Sequence, residues 1–265
     1  MDNDDDGPAI GDLLRLDGKR ALVTGASGNI GSRIARRLAE AGADVVVHYR
    51  NDAEGAERTA GLISDAGGTA TILRADLSTE AGAGVLLDAV SADGIAADCI
   101  VNNAALQPVA PLAAMTGGEW RQVLAATLDS AFYVTQAAVG RLRDAGIGGA
   151  IVNVASIEGV DPAAGHAHYS AAKAGLLSLT RSSALEYGPD GIRCNAVSPG
   201  LIDRDGLRDD WPDGVARWLD RAPLGRTGRA ADVADAVLFL LSPAASFVSG
   251  TNLIVDGGMS VRPRW

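Results

Sequence analysis

The stretch Ala21-Leu22-Val23-Thr24-Gly25-Ala26-Ser27-Gly28-Asn29-Ile30-Gly31 decides how this chain folds. A short apolar, β-branched run passes straight into a glycine-rich loop, and a helical stretch follows at Ile30–Ala41. Glycines there let the backbone turn tightly and approach a pyrophosphate. The helix N-terminus adds free N–H groups and a favourable dipole. Such a loop is a weak motif alone, and it gains weight where a strand feeds it and a helix leaves it.

The same alternation continues outward. Further strand-like runs lie at Val45–His48, Ala70–Leu73, Cys99–Val101, Ile151–Val154, Cys194–Val197 and Leu253–Val255. Helical stretches rich in Ala, Leu and Arg lie between them, including Glu54–Asp65, Trp120–Arg143, Tyr169–Tyr187 and Ala231–Leu241. Strands that alternate with helices predict βαβ units and a parallel sheet. The strands are nearly all apolar, as expected when helices cover both faces. The fold class is therefore α/β, a doubly wound sheet of seven parallel strands. No linker or repeat divides it. Residues 1–11, with four Asp in the first six, read as a flexible acidic tail, and 12–265 as one domain. Within it, 200–223 breaks the regular pattern. Its two tryptophans, in a chain with 4% aromatics, predict a substrate-facing flap.

Bulk composition removes several classes of function. The formal charge is −10, the opposite of a nucleic-acid footprint. No apolar run reaches membrane-spanning length, and the acidic start is unlike a secretory signal, so a cytoplasmic enzyme is expected. Cys99 and Cys194 sit in apolar strand-like runs and read as buried, reduced core residues. His166 and His168 have no carboxylate pattern beside them, and no metal is assigned.

Chemistry enters with lysine, which occurs only twice. Lys173 lies four residues after Tyr169, a spacing that puts both on one helix face. An ammonium beside a phenol favours the phenolate and lowers the phenol's pKa from about 10. Tyr169 then becomes a proton donor and acceptor near neutrality. After the second strand stands His48-Tyr49-Arg50-Asn51. An acidic residue there would accept from an adenosine ribose 2′-hydroxyl, whereas Arg50 suits a 2′-phosphate. NADP(H) is thus favoured over NAD(H).

Together these residues resemble the short-chain dehydrogenase/reductase family, from about Leu16 to Met259. The family's markers occur in order: the Thr24–Gly31 loop, Asp76-Leu77, Asn102-Asn103-Ala104-Ala105, Asn153-Val154-Ala155-Ser156, Tyr169-Ser170-Ala171-Ala172-Lys173, Pro199-Gly200 and Val255-Asp256-Gly257-Gly258. The resemblance implies a single-domain Rossmann fold and hydride transfer between a nicotinamide and a carbonyl or alcohol carbon. By position, Tyr169 would be the general acid in reduction. Lys173 would hold the nicotinamide ribose, and Ser156 would donate a hydrogen bond to the substrate oxygen. Gly25, Ser27, Gly28, Asn29 and Ile30 would line the pyrophosphate and adenosine. Tyr49, Arg50 and Asn51 would meet the ribose. Asp76 and Leu77 would flank the adenine, and Asn103, Ala104 and Ala105 would run along the ribose. Pro199, Gly200 and Ile202 would approach the carboxamide.

Three positions depart from the family pattern. Asn29 replaces a glycine, and asparagine tolerates left-handed geometry. Thr127 replaces an asparagine that organises a water relay to the lysine, and it offers a hydroxyl to the catalytic set. Arg204 replaces a threonine that touches the carboxamide, and becomes a candidate for substrate or cofactor charge. The resemblance further implies a homo-oligomer, a tetramer or dimer, paired through Trp120–Arg143 and Tyr169–Tyr187. The end of the chain (Arg262, Arg264, Trp265) is a candidate to reach a neighbour's site. An NADP(H)-dependent ketone or imine reductase is the first reading, and a cofactor-binding sensor or scaffold the alternative.

Overall fold

The computed structural model describes residues 7–261. Part of the expected acidic tail and all of Arg262, Arg264 and Trp265 lie outside the described residues. The elements run β1 (Arg20–Val23), α1 (Asn29–Glu40), β2 (Asp44–Tyr49), α2 (Ala53–Asp65), β3 (Thr69–Arg74), α3 (Glu80–Val90) and β4 (Cys99–Asn102). There follow α4 (Gly117–Leu124), α5 (Ser130–Ala145), β5 (Gly149–Val154), α6 (Ala167–Tyr187) and β6 (Ile192–Pro199). The chain closes with α7 (Leu207–Asp210), α8 (Pro212–Arg221), α9 (Ala230–Leu241) and β7 (Asn252–Val255).

All seven strands are parallel, in the order β3-β2-β1-β4-β5-β6-β7. Alternate side chains feed two cores, one on each face. Val46, Leu22, Ile100, Ile151 and Cys194 form one row across adjacent strands and pack on α3, α5 and α6. Val23, Val47, Val101, Val152 and Val197 point the other way, onto α1, α2 and α9. Burying each such side chain contributes about 1.5–3 kcal/mol. This two-sided burial is why the central strands read as continuous apolar runs. The edge strand β3 departs from that expectation. Its Thr69, Thr71 and Arg74 are exposed, because no further strand or helix covers them.

Two helices differ from the sequence pattern. Gly82 and Gly84 mask α3 in the sequence, yet Leu86, Leu87 and Val90 bury its core face and the Thr79 hydroxyl caps the Gly82 N–H. The single helix expected over Trp120–Arg143 is α4 and α5 joined by a π turn, Ala125–Asp129. The extra residue in that turn changes which side chains face inward. Gly146, at φ 66°, ends α5 in the left-handed region. Among the described residues, no helix is long and apolar enough to cross a membrane.

The strand order reverses between β1 and β4. A crevice therefore opens above their C-terminal ends, where open α/β sheets take ligands. The candidate site residues lie at or just beyond the C-terminal ends of strands, at the start of α1, on α6 or in the π turn.

Candidate active site

The first wall of the crevice is held by side chains bonded to main chain. Thr24 Oγ1 accepts from the backbone N–H of both Asn103 and Ala104, at 2.9 and 3.0 Å. Asn103 Nδ2 donates to the carbonyls of Thr24 and Gly25, each at 3.0 Å. The loops after β1 and β4 are thereby locked together. Gly31 lies so close beneath them that a Cβ would stand 2.2 Å from the Gly25 carbonyl oxygen. Asn29 adopts φ 31°, the sole non-glycine positive φ among the described residues, as its tolerance for that region predicts.

The N-terminus of α1 is open. Gly28 caps it without a side chain, and the first turn carries no acid. A Cβ on Gly28 would meet nothing within 4 Å. The N–H groups of Asn29, Ile30 and Gly31 have no backbone partner among the described residues. This is an uncompensated anion site, and it fits the diphosphate of a dinucleotide. Beyond β2, Arg50 is exposed and makes no ion pair among the described residues, beside exposed Asn51 and half-buried Tyr49. Its charge helps hold the Asp76 carboxyl below its ordinary pKa, although the main cause is the Ser78 hydroxyl and N–H. Leu77 differs from expectation. Its side chain is buried in the core, which leaves only backbone to face an adenine.

The catalytic candidates converge from two elements. Ser156 stands two residues after β5, and its hydroxyl accepts from the Glu158 N–H at 3.1 Å. Tyr169 and Lys173 stand one turn apart on α6, with the Lys173 Nζ 5.4 Å from the Tyr169 ring centre. Lys173 is 2% exposed and donates to the Val154 carbonyl at 2.5 Å. An ammonium carries three donors, so two remain for other partners. Tyr169 is 8% exposed, with the Ser156 hydroxyl as its polar neighbour.

The titration behaviour corrects one expectation. Burial chiefly, and the Glu158 carboxylate next, push the Tyr169 hydroxyl above its ordinary range, while the Ser156 hydroxyl draws it back. Lys173 does not supply the expected lowering. Burial brings its own pKa down to about 7, with Glu158 pulling the other way, so its charge at neutrality is partial.

Other predicted residues do different work. Thr127 is buried in the π turn and its hydroxyl accepts from the Leu106 N–H at 3.2 Å, with no bond to Lys173. Arg204 is not poised for a ligand: it pairs with Asp210 at 2.8 Å within the 200–223 segment. Trp218 lies against Gly200, where a Cβ would sit 2.6 Å from its ring, and so backs the loop instead of facing outward. Trp211 is about half exposed, with Arg217 over its ring at 5.9 Å. Pro199 and Ile202 are buried. Burial raises the thiols of Cys99 and Cys194 to about 12, as suits inert core residues.

Residues 25–260 match the family model described as enoyl-(acyl carrier protein) reductase. The chain belongs to the short-chain dehydrogenase/reductase family. Cis-4-hydroxycyclohexanecarboxylate dehydrogenase of Sinomonas cyclohexanicum is 43% identical over 239 residues, covering 90% of this chain and 95% of that one. L-rhamnose 1-dehydrogenase (NAD(P)(+)) of Azotobacter vinelandii is 40% identical over 255 residues, covering 94% and 99%. The crystal structure of a gluconate 5-dehydrogenase from Burkholderia cenocepacia, in complex with NADP and tartrate, superposes with a TM-score of 0.88 at 34% identity, covering 95% and 99%.

Within this short-chain dehydrogenase/reductase, two site residues escape sequence reasoning. His48 is 2% exposed; its Nδ1 accepts from the Gly25 N–H at 3.1 Å and its Nε2 meets the Ala75 carbonyl at 3.2 Å. It pins the loop after β1 to the turn after β3, where the sequence places it only at the end of a strand-like run. Glu158 is the carboxylate that His166 was expected to lack. It lies eight residues earlier and meets His166 Nδ1 at 3.0 Å. A spacing across a glycine- and proline-bearing loop carries no periodic signal, so only the fold brings the pair together.

Proposed function

We propose that this oxidoreductase uses NADP(H) to reduce a carbonyl carbon of a small or medium organic substrate, with Tyr169 as general acid. The observation that carries this reading is the Ser156–Tyr169–Lys173 set beside the open N-terminus of α1. The nicotinamide supplies hydride chemistry when bound. Asn29, Ile30 and Gly31 would hold its diphosphate by their free backbone N–H groups, and the remaining Lys173 donors would be available to its ribose. Ser156 donates to the substrate oxygen, and Tyr169 delivers the proton that turns an alkoxide into an alcohol. The Tyr169 hydroxyl is protonated at neutrality, as the acid role in reduction requires.

Arg50, unpaired beyond β2, supports a preference for the 2′-phosphate, and solved relatives with bound NADP support it too. Thr127 takes a positioning part, holding the Leu106 loop over the site. The 200–223 segment supplies the outer wall of the substrate pocket through Trp211. A cytoplasmic homo-oligomer completes the proposal. The α6 face bearing Leu177, Arg181 and Leu185, with Leu185 81% exposed, supports pairing of copies through this helix.

The test mixes the protein with NADPH and a panel of ketones, aldehydes and imines and follows loss of reduced-nicotinamide absorbance. Turnover with at least one class is expected. Tyr169→Phe should lower it about 10³-fold while NADPH still binds. If no substrate is consumed, or if Tyr169→Phe is as active as the parent, the catalytic reading fails and a sensor or scaffold role takes its place.

A further inference from the structure

Beside the Ser156–Tyr169–Lys173 set lies a second polar group that the reaction does not require. Three side chains from different parts of the chain converge on the Glu158 carboxylate. Gln107 Nε2, from the loop after β4, donates at 3.0 Å. His166 Nδ1, at the start of α6, lies 3.0 and 3.2 Å from the two oxygens. The Ser170 hydroxyl donates at 3.3 Å. The Glu158 side chain is only 15% exposed. Its acceptor sites are largely used by the protein, so Glu158 orients its neighbours and is itself a poor ligand contact.

The residue it orients is His166. A carboxylate can only accept, so Nδ1 carries the proton and Nε2 is the ring's outward nitrogen. Nε2 has no hydrogen-bond partner among the described residues, yet it is not among the buried unpaired atoms and therefore faces accessible space. The imidazole packs edge-on against the Tyr169 ring, with centroids 6.2 Å apart and an interplanar angle of 68°. The oriented, unpaired nitrogen thus belongs to a ring packed against the ring of the proton donor.

We propose that His166, positioned by Glu158, is a specificity residue that hydrogen-bonds a hydroxyl on the carbon adjacent to the reacting carbonyl. The substrate class is accordingly the α-hydroxy ketones and, in oxidation, the vicinal diols. This rests on the carbonyl-reducing reading given above and names its substrate. The reacting oxygen is claimed by Tyr169 and Ser156, so a group flanking Tyr169 meets the substituent one carbon away. A hydroxyl both donates and accepts, so it satisfies Nε2 whether the ring is neutral or protonated. A ketone lacking that hydroxyl leaves the nitrogen desolvated and unpaired.

The test compares substrates that differ by one hydroxyl: 2-hydroxycyclohexanone against cyclohexanone, and 3-hydroxybutan-2-one against butan-2-one. The readout is the ratio of kcat/KM within each pair, for the parent, His166→Phe, His166→Gln and Glu158→Gln. A ratio cancels general damage, which lowers both members alike. The parent should favour the hydroxy ketone about tenfold. His166→Phe should bring the ratio to about one, His166→Gln should restore part of it, and Glu158→Gln should fall between. A second readout needs no turnover. Calorimetry should give cyclohexane-1,2-diol a severalfold lower Kd than cyclohexanol on the parent, and equal values on His166→Phe. Turnover of both ketones with a parent ratio of one, or a ratio unmoved in His166→Phe, overturns the assignment and leaves the reductase reading intact. Preferential diol binding with no ketone consumed does the reverse. Neither turnover nor diol preference removes both.

Discussion

The two flanks of the active-site crevice are built by opposite means. On the cofactor flank, side chains bond to backbone: Thr24 and Asn103 tie the loops after β1 and β4, and His48 ties the Gly25 loop to the turn after β3. On the substrate flank, side chains bond mostly to one another: Glu158 to His166 and Gln107, and Arg204 to Asp210. The first arrangement fixes the shape of the main chain and presents N–H groups, which suits a cofactor of constant structure. The second presents side chains on loops, where a substitution changes what is recognised while the backbone stays in place. The scaffold thus separates what must stay constant from what is free to specialise.

The contrast is sharpest at His48. Burial draws its pKa from 6.5 down to about 4. Above pH 6.5 the ring is neutral in both folded and unfolded chains and has no effect on pH dependence. As pH falls below that, the unfolded chain takes up the proton first, so stability falls until the folded pKa is passed. The loss approaches about 3 kcal/mol. Urea unfolding of the parent and of His48→Gln at pH 7 and pH 4.5 should show the smaller acid loss in the variant. Equal losses would mean that this pin does not respond to acid.

Gly31 probes the same flank by volume. A Cβ there approaches Gly25 and Asn103 too closely for either to stay in place. Gly31→Ala should cost about 1–3 kcal/mol in stability and weaken cofactor binding, measured by chemical denaturation and by quenching of protein fluorescence. Gly28→Ala, at a position facing open space, should be milder on stability; the comparison fails if the two are alike.

The smallest effects separate two arginines. The Arg50 side chain makes no ion pair among the described residues, so Arg50→Ala should reduce the preference for NADPH over NADH about tenfold. Arg204 pairs on the surface of the flap, and its loss should change stability by about 0.5 kcal/mol or less. A cofactor effect at Arg204 larger than that at Arg50 would reverse the assignment of the flanks.

The same division explains what could be read from the sequence. The α/β architecture was legible because its signals are local: apolar strands, a glycine-rich turn and a Tyr-x-x-x-Lys spacing within one helix. Tyr169 and Lys173 stand one turn apart as that spacing requires, whereas Ser156 comes from the loop after β5. α3 was hidden by its two glycines, and its burial, a tertiary effect, forms it. The direction of the Tyr169 pKa was misjudged because sequence gives distance along a helix and says nothing about burial or the Glu158 charge. His166 shows no carboxylate beside it in sequence because its partner, Glu158, lies across a loop. Trp218 looked like a substrate contact, but it is packing for Gly200.

The π turn at Ala125–Asp129 has a consequence for how this chain tolerates change in length. Each residue of a helix advances its direction by about 100°. A π turn is wider than an α turn and absorbs one extra residue as a local bulge. Removing Thr127 would therefore restore regular winding and leave Val134, Ala138 and Leu142 on the sheet, while the Leu106 loop would lose its hydroxyl partner. A one-residue deletion here would spare the core and strike the site.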